Sequence, residues 1–144
     1  MARFDHPIMQ EVVALQLPHP HEVVINHGSA LVIRGLRDEH VDGDIDILTS
    51  ARNIRYVTDV LGWESLDLDG KTAYRDSGGR FDMHLWDGSP RRRLLLADEI
   101  ARSDQDETTG IWVASLELVR ETKVLAGRDK DIADITLIDA YTDR

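Results

Sequence analysis

Apolar positions along the chain switch repeatedly between helical and strand-like spacing. Residues 6–17 read as a helix that Pro18 and Pro20 stop. Residues 22–26 (EVVIN) form a short β-rich run, Gly28-Ser29 reads as a turn, and ALVIRGL reads as a short helix. Residues 44–49 (DIDILT) alternate polar and apolar, as a half-buried strand does. In ARNIRYVTDVLG, the residues Ile54, Val57, Val60 and Leu61 share one helical face, and Gly62 ends the helix.

Three strand-like runs follow, around Trp63–Asp67, Lys71–Arg75 and Arg80–Leu85, with turns at Gly70 and Gly78-Gly79. Residues 91–102 fit either a strand or a helix, and residues 110–114 (GIWVA) read as a strand. Ser115 is placed to cap a helix carrying Leu116, Val119, Lys123 and Val124, which Gly127 breaks. A last helix over about Arg128 to Tyr141 directs Ile132, Ile135, Leu137 and Ile138 toward the core. Strands in the middle with helices at both ends imply a small mixed β-sheet flanked by helices, an α+β (α/β) fold. A chain of 144 residues without a dividing linker is expected to form one domain over residues 1–144.

Composition narrows the picture. Hydrophobic residues make up 42% and charged residues 31%, an ordinary globular balance. Cysteine is absent, which excludes disulfides and thiolate metal sites and makes a reducing cytoplasm the expected location. No apolar run approaches the roughly 20 residues of a membrane span. The formal net charge of −10 disfavours a nucleic-acid partner. It leaves room for a nucleotide, because a bound divalent cation inverts the local field.

The chemistry concentrates in carboxylates. Alternate residues of a strand face the same side, so Asp44 and Asp46 lie together while Ile45 and Ile47 face the core. Two such carboxylates repel each other unless a hard cation sits between them. Asp42 has the same phase but is assigned to the loop before Gly43. Asp82 and His84 share a face of a second alternating run, opposite Phe81, Met83 and Leu85. If the two strands are neighbours, three carboxylates converge, and Asp82 is placed to accept a proton from a hydroxyl or to hold a metal. Gly28-Ser29 opens a helix, where free N–H groups suit phosphate. Each feature alone is also what a solvated strand or an ordinary turn shows; their conjunction carries the functional reading.

Gly28-Ser29, the helix ending Gly35-Leu36-Arg37 and the run Asp44-Ile45-Asp46-Ile47-Leu48 together resemble the nucleotidyltransferase (polymerase-beta-like) superfamily. The closing stretch with Lys123, Arg128, Lys130, Asp131 and Asp134 resembles small bacterial members, including AbiEii-like toxin relatives. Phe81-Asp82-Met83-His84 is similar to the third-carboxylate strand of lincosamide and aminoglycoside nucleotidyltransferases. The resemblance spans roughly residues 22–138.

It implies magnesium-dependent transfer of a nucleoside monophosphate from an NTP such as ATP to an acceptor hydroxyl, with release of pyrophosphate. Asp44, Asp46 and Asp82 would then be catalytic residues and metal ligands, and Gly28 and Ser29 would bind the nucleotide. Lys123 is either a further nucleotide contact or a solvated helix charge. Arg128, Lys130, Asp131 and Asp134 read as an ion-pair and capping network. The acidic charge favours a small-molecule acceptor, such as a cationic antibiotic, over RNA. The alternatives are a toxin-like transferase acting on tRNA or protein, and a binding module that transfers nothing. Little chain remains for an acceptor-binding domain, so a homodimer is the expected source of that wall.

Among the remaining residues, His84 reads as a satisfied strand histidine, and Arg91-Arg92-Arg93 as a solvated turn or an anion contact. Trp63 and Trp112 read as partly buried packing, and Trp86 as packing or an acceptor wall. His19-Pro20-His21 offers two imidazoles but lacks further ligands beside them.

Overall fold

The computed structural model describes residues 2–38, 44–68, 71–85 and 96–143. Asp42, Gly70, Trp86 and Arg91-Arg92-Arg93, singled out above, lie outside the described residues.

The first helix, α1 (Pro7–Ala14), is shorter than its apolar pattern. It begins where the His6 imidazole accepts from the Ile8 N–H and Pro7 supplies a first-turn residue that needs no N–H partner. It ends before either proline, because Gln16 takes a left-handed backbone with φ 54°. A 3-10 turn over Pro20–Glu22 leads into β1 (Val23–Ile25). Gly28-Ser29 is not a separate turn: α2 runs His27–Ile33 and takes both residues into its first turn, capped by the Asn26 side chain.

β2 (Ile45–Thr49) follows, then α3 (Ala51–Asp59), β3 (Glu64–Leu68), β4 (Lys71–Arg75) and β5 (Phe81–Leu85). The stretch that fitted either state contains a helix, α4 (Leu96–Ala101). β6 (Ser103–Gln105) then pairs antiparallel with β7 (Trp112–Ala114). The sequence gives no sign of β6, since Ser-Asp-Gln has no apolar position and exists as a strand only through that pairing. α5 (Leu116–Ala126) starts at Ser115, whose hydroxyl accepts from the Leu118 N–H at 3.1 Å, and stops at Gly127 with φ 65°. α6 spans Asp129–Thr142.

Among the described residues, seven strands form one mixed sheet in the order β3-β4-β5-β2-β1-β7-β6. β2 pairs parallel with β5 and antiparallel with β1, while β1 pairs parallel with β7. The core takes Val23, Val24 and Ile25 of β1, Ile45, Ile47 and Leu48 of β2, Met83 of β5 and Ala30 to Ile33 of α2. α2 packs on α5, and α5 on α6.

Two apolar faces differ from the periodic expectation. In α3, Ile54 and Val57 are buried, but Val60 and Leu61 at its end are exposed. In α6, Ile138 faces inward as expected, whereas Ile132 is 56% exposed and Leu137 is exposed too. Asp131 and Asp134 take the inward positions instead. A helix turns carboxylates inward only where a cation waits to receive them, and α5 supplies Lys123.

Candidate active site

β2 and β5 lie side by side with Asp46 directly opposite Asp82. In parallel strands, residues in register share a face, and neighbouring strands are about 4.8 Å apart. Asp44 lies two residues before Asp46, on the same phase. The three carboxylates therefore gather on one patch of the sheet. Gly78-Gly79 sets the β5 side of that register: Gly79 has φ 69°, and Asp76 accepts from the Phe81 N–H at 2.9 Å to close the turn between β4 and β5.

Ser29 places the β2 side. Its side chain is buried, the Oγ donates to the Asp44 carbonyl at 3.2 Å, and it accepts from the Asp46 N–H at 3.3 Å. The hydroxyl thus holds the backbone on both sides of Ile45 and aims the two carboxylates. Asn26 adds to this frame, its N–H donating to the Asp46 carbonyl at 3.2 Å. Among the described residues, its buried side-chain Nδ2 has no hydrogen-bond partner.

Crowding carboxylates has a charge cost, visible in their acidities. Asp46 is pushed up to about 7, by burial first and then by the charges of Asp82 and Asp44, against the opposing pull of Lys123 and Lys130. Asp44 is raised as well, by burial and by its hydrogen bond to Asp82. Asp82 goes the other way. Burial alone would raise it, but the Arg75 guanidinium bonds both its oxygens and holds it below the ordinary carboxylate range. Arg75 also comes within 3.7 Å of Asp44, and His84 Nε2 lies 4.0 Å from Asp46.

Lys123 is almost wholly buried, its Nζ 3.3 Å from Asp131 and 3.0 Å from Asp134. Arg128 closes a capping box with Asp131, and Arg37 approaches Asp134 at 3.6 Å. Gly28 lies in the first turn of α2, where the backbone N–H groups have no intrahelical carbonyl to reach. Arg75 and Asn26 are site residues that sequence reasoning missed. Arg75 is one cation in an ordinary alternating strand, and only the pairing of Arg75 with Asp82 across β4 and β5 singles it out.

The donor set fits a magnesium ion: three carboxylates supply hard oxygen ligands, and the raised pKa values of Asp44 and Asp46 are those of carboxylates crowded together without enough positive charge nearby. Among the solved structures, the chain is similar to ANT(2″)-Ia in complex with adenylyl-2″-tobramycin, an aminoglycoside nucleotidyltransferase. The TM-score is 0.56 over 92% of this chain and 90% of that one, at 15% sequence identity. The chain has a nucleotidyltransferase fold. No protein-family model and no curated protein matches it. Among the described residues, no helix is long and apolar enough to cross a membrane.

Proposed function

We propose that the chain transfers a nucleoside monophosphate from an NTP, such as ATP, to a hydroxyl of a small-molecule acceptor. The observation that carries this reading is the register of β2 and β5, which gathers Asp44, Asp46 and Asp82 within a nucleotidyltransferase fold. The neighbour's adenylylated antibiotic supports a small, cationic acceptor, and so does the acidic charge of −10.

In this reading Asp44 and Asp46 hold magnesium. The ion supplies charge neutralisation at the triphosphate, where phosphoryl transfer needs positioning more than covalent help. Gly28 and Ser29 offer first-turn N–H groups of α2 to the phosphates, while the Ser29 hydroxyl keeps Asp44 and Asp46 aimed. Lys123 acts through its charge, which already reaches Asp46, while anchored to Asp131 and Asp134. The acceptor oxygen bonds to the α-phosphorus, the bond to the β-phosphate side breaks, and pyrophosphate leaves.

Asp82 is the third ligand, or the base for the acceptor proton. A carboxylate held below its ordinary pKa is a weak proton acceptor. The base role therefore requires Arg75 to release at least one Asp82 oxygen. The same pair favours the second reading, a module that holds nucleotide without transferring it, since Arg75 lies where added positive charge would be placed. A homodimer is proposed to complete the acceptor wall, and a reducing cytoplasm is the proposed location.

Thermal unfolding with each of the four NTPs, with and without magnesium, tests the site. Ligand at about 100 times its dissociation constant adds roughly 2.7 kcal/mol of stability. A magnesium-dependent rise in Tm that Asp44→Asn abolishes is expected. Absence of a shift with every NTP refutes the nucleotide site, whereas a shift without pyrophosphate release in an acceptor screen supports the binding module.

A further inference from the structure

We propose that His19, His21 and Glu22 form a second metal site, for a divalent transition ion of the zinc type. One potential ligand atom from each of the three residues lies within 4.8 Å of the others. The cluster sits at the far end of the β1–β2 pair from the carboxylates: Glu22 precedes Val23, which pairs with Thr49, the last residue of β2. It is independent of the nucleotide site.

The local geometry is built to hold these side chains together. Pro20 starts the 3-10 turn, and the two imidazoles meet edge to face with ring centroids 5.9 Å apart. The backbone beneath them is pinned from other elements. Asn53 of α3 bonds both the His19 N–H and its carbonyl, at 3.1 and 2.8 Å, and the Trp112 indole donates to the His21 carbonyl at 2.9 Å. Among the described residues, no hydrogen bond or ion pair uses the imidazole nitrogens of His19 or His21.

Glu22 is oriented as a ligand carboxylate usually is, by hydrogen bonds from outside the site. Ser50 and Arg52 donate to Oε1, and Arg52 alone donates to Oε2. That leaves one of about four lone-pair positions open, on Oε2.

Two imidazole nitrogens and one carboxylate oxygen match the three-ligand zinc pattern that leaves a fourth position for water. Imidazole selects transition ions, whereas the all-oxygen set at Asp44, Asp46 and Asp82 suits magnesium. The two sites are thus separated by ligand chemistry as well as by position. Tetrahedral ligands about 2.1 Å from an ion lie about 3.4 Å from each other, so closing the set from within 4.8 Å requires side-chain rotations of about an ångström.

Calorimetric titration of zinc into tag-free protein in excess magnesium tests the site. Wild type and Asp46→Asn are expected to take up one equivalent with equal affinity, and His21→Ala to bind at least about tenfold more weakly. His21 is exposed, so its replacement leaves the fold intact, and circular dichroism verifies that. Equal zinc affinity in His21→Ala and wild type overturns the proposal, as does no uptake by wild type. Loss in Asp46→Asn alone also overturns it, because the ion would then belong to the carboxylate cluster.

Discussion

Arg75 holds Asp82 by both oxygens, its Nε 2.6 Å from Oδ1 and its Nη2 2.9 Å from Oδ2. The Asp82 side chain is nearly buried while Arg75 is about one-third exposed, so the guanidinium is the local counter-charge for a carboxylate that water reaches poorly. Arg75→Ala is expected to cost about 1.5–3 kcal/mol without divalent ions, the range for a hydrogen bond to a charged group. Magnesium should recover most of that loss by replacing the missing charge. It should also bind the variant more tightly, since a competing cation is gone. Urea unfolding with and without magnesium measures both effects, and an equal deficit in the two conditions would refute them.

Asp46 predicts a pH dependence with a definite sign. Its folded-state pKa of about 7 lies above the ordinary 3.8, so the folded protein binds a proton more readily than the unfolded chain between these values. Its stabilising contribution is present below about pH 4 and is lost as pH rises through 7, at no more than about 1.4 kcal/mol per pH unit. In metal-free buffer, Asp46→Asn should therefore gain stability over wild type as pH rises from 5 to 8. Melting curves across that range check it, and a gap independent of pH would contradict it.

Lys123 is the hub joining α5 to α6. Lys123→Met is expected to destabilise the fold by about 3–5 kcal/mol, because it strands two buried carboxylates. The lower end is favoured, since Arg128 still pairs with Asp131 and Arg37 still approaches Asp134. Adding Asp134→Asn to Lys123→Met should recover part of the loss, which denaturant titration of the double variant would reveal. Burial opposes ionisation of Asp131, but the Arg128 bonds outweigh it and lower its pKa to about 2. Its contribution is present above the ordinary carboxylate pKa of 3.8 and is lost as pH falls from about 4 toward 2.

Ser29→Ala removes the hydroxyl that joins the Asp44 carbonyl to the Asp46 N–H. The stability loss should be about 1 kcal/mol, since both bonds are long. Magnesium affinity should fall as well, because the two carboxylates lose their shared frame. Calorimetry separates the two effects. Unchanged magnesium affinity would show that β2 holds Asp44 and Asp46 in place without Ser29.

Some of this architecture was legible in local sequence. The alternation in residues 44–49 and 81–85 put Asp44, Asp46 and Asp82 on strands, opposite apolar faces. Ser115 and Gly127 bounded α5, because caps and left-handed stops act within one turn. The sequence by itself therefore determined which elements form, apart from α4 and β6, and which face of each alternating strand carries chemistry.

Tertiary structure decided what those faces meet. Strand periodicity does not state a neighbour, so only the parallel pairing of β2 with β5 brought Asp46 beside Asp82, and only the antiparallel partner β4 brought Arg75. The apolar stripe of α6 suggested Ile132 and Leu137 as core, yet Asp131 and Asp134 face inward because Lys123 of α5 meets them there. Ser29 took on its positioning role in the same way, through Asp44 and Asp46, and Glu22 its orientation, through Ser50, all distant in sequence. A hydrogen bond or ion pair needs a partner within a few ångströms, and for these residues folding alone supplies it.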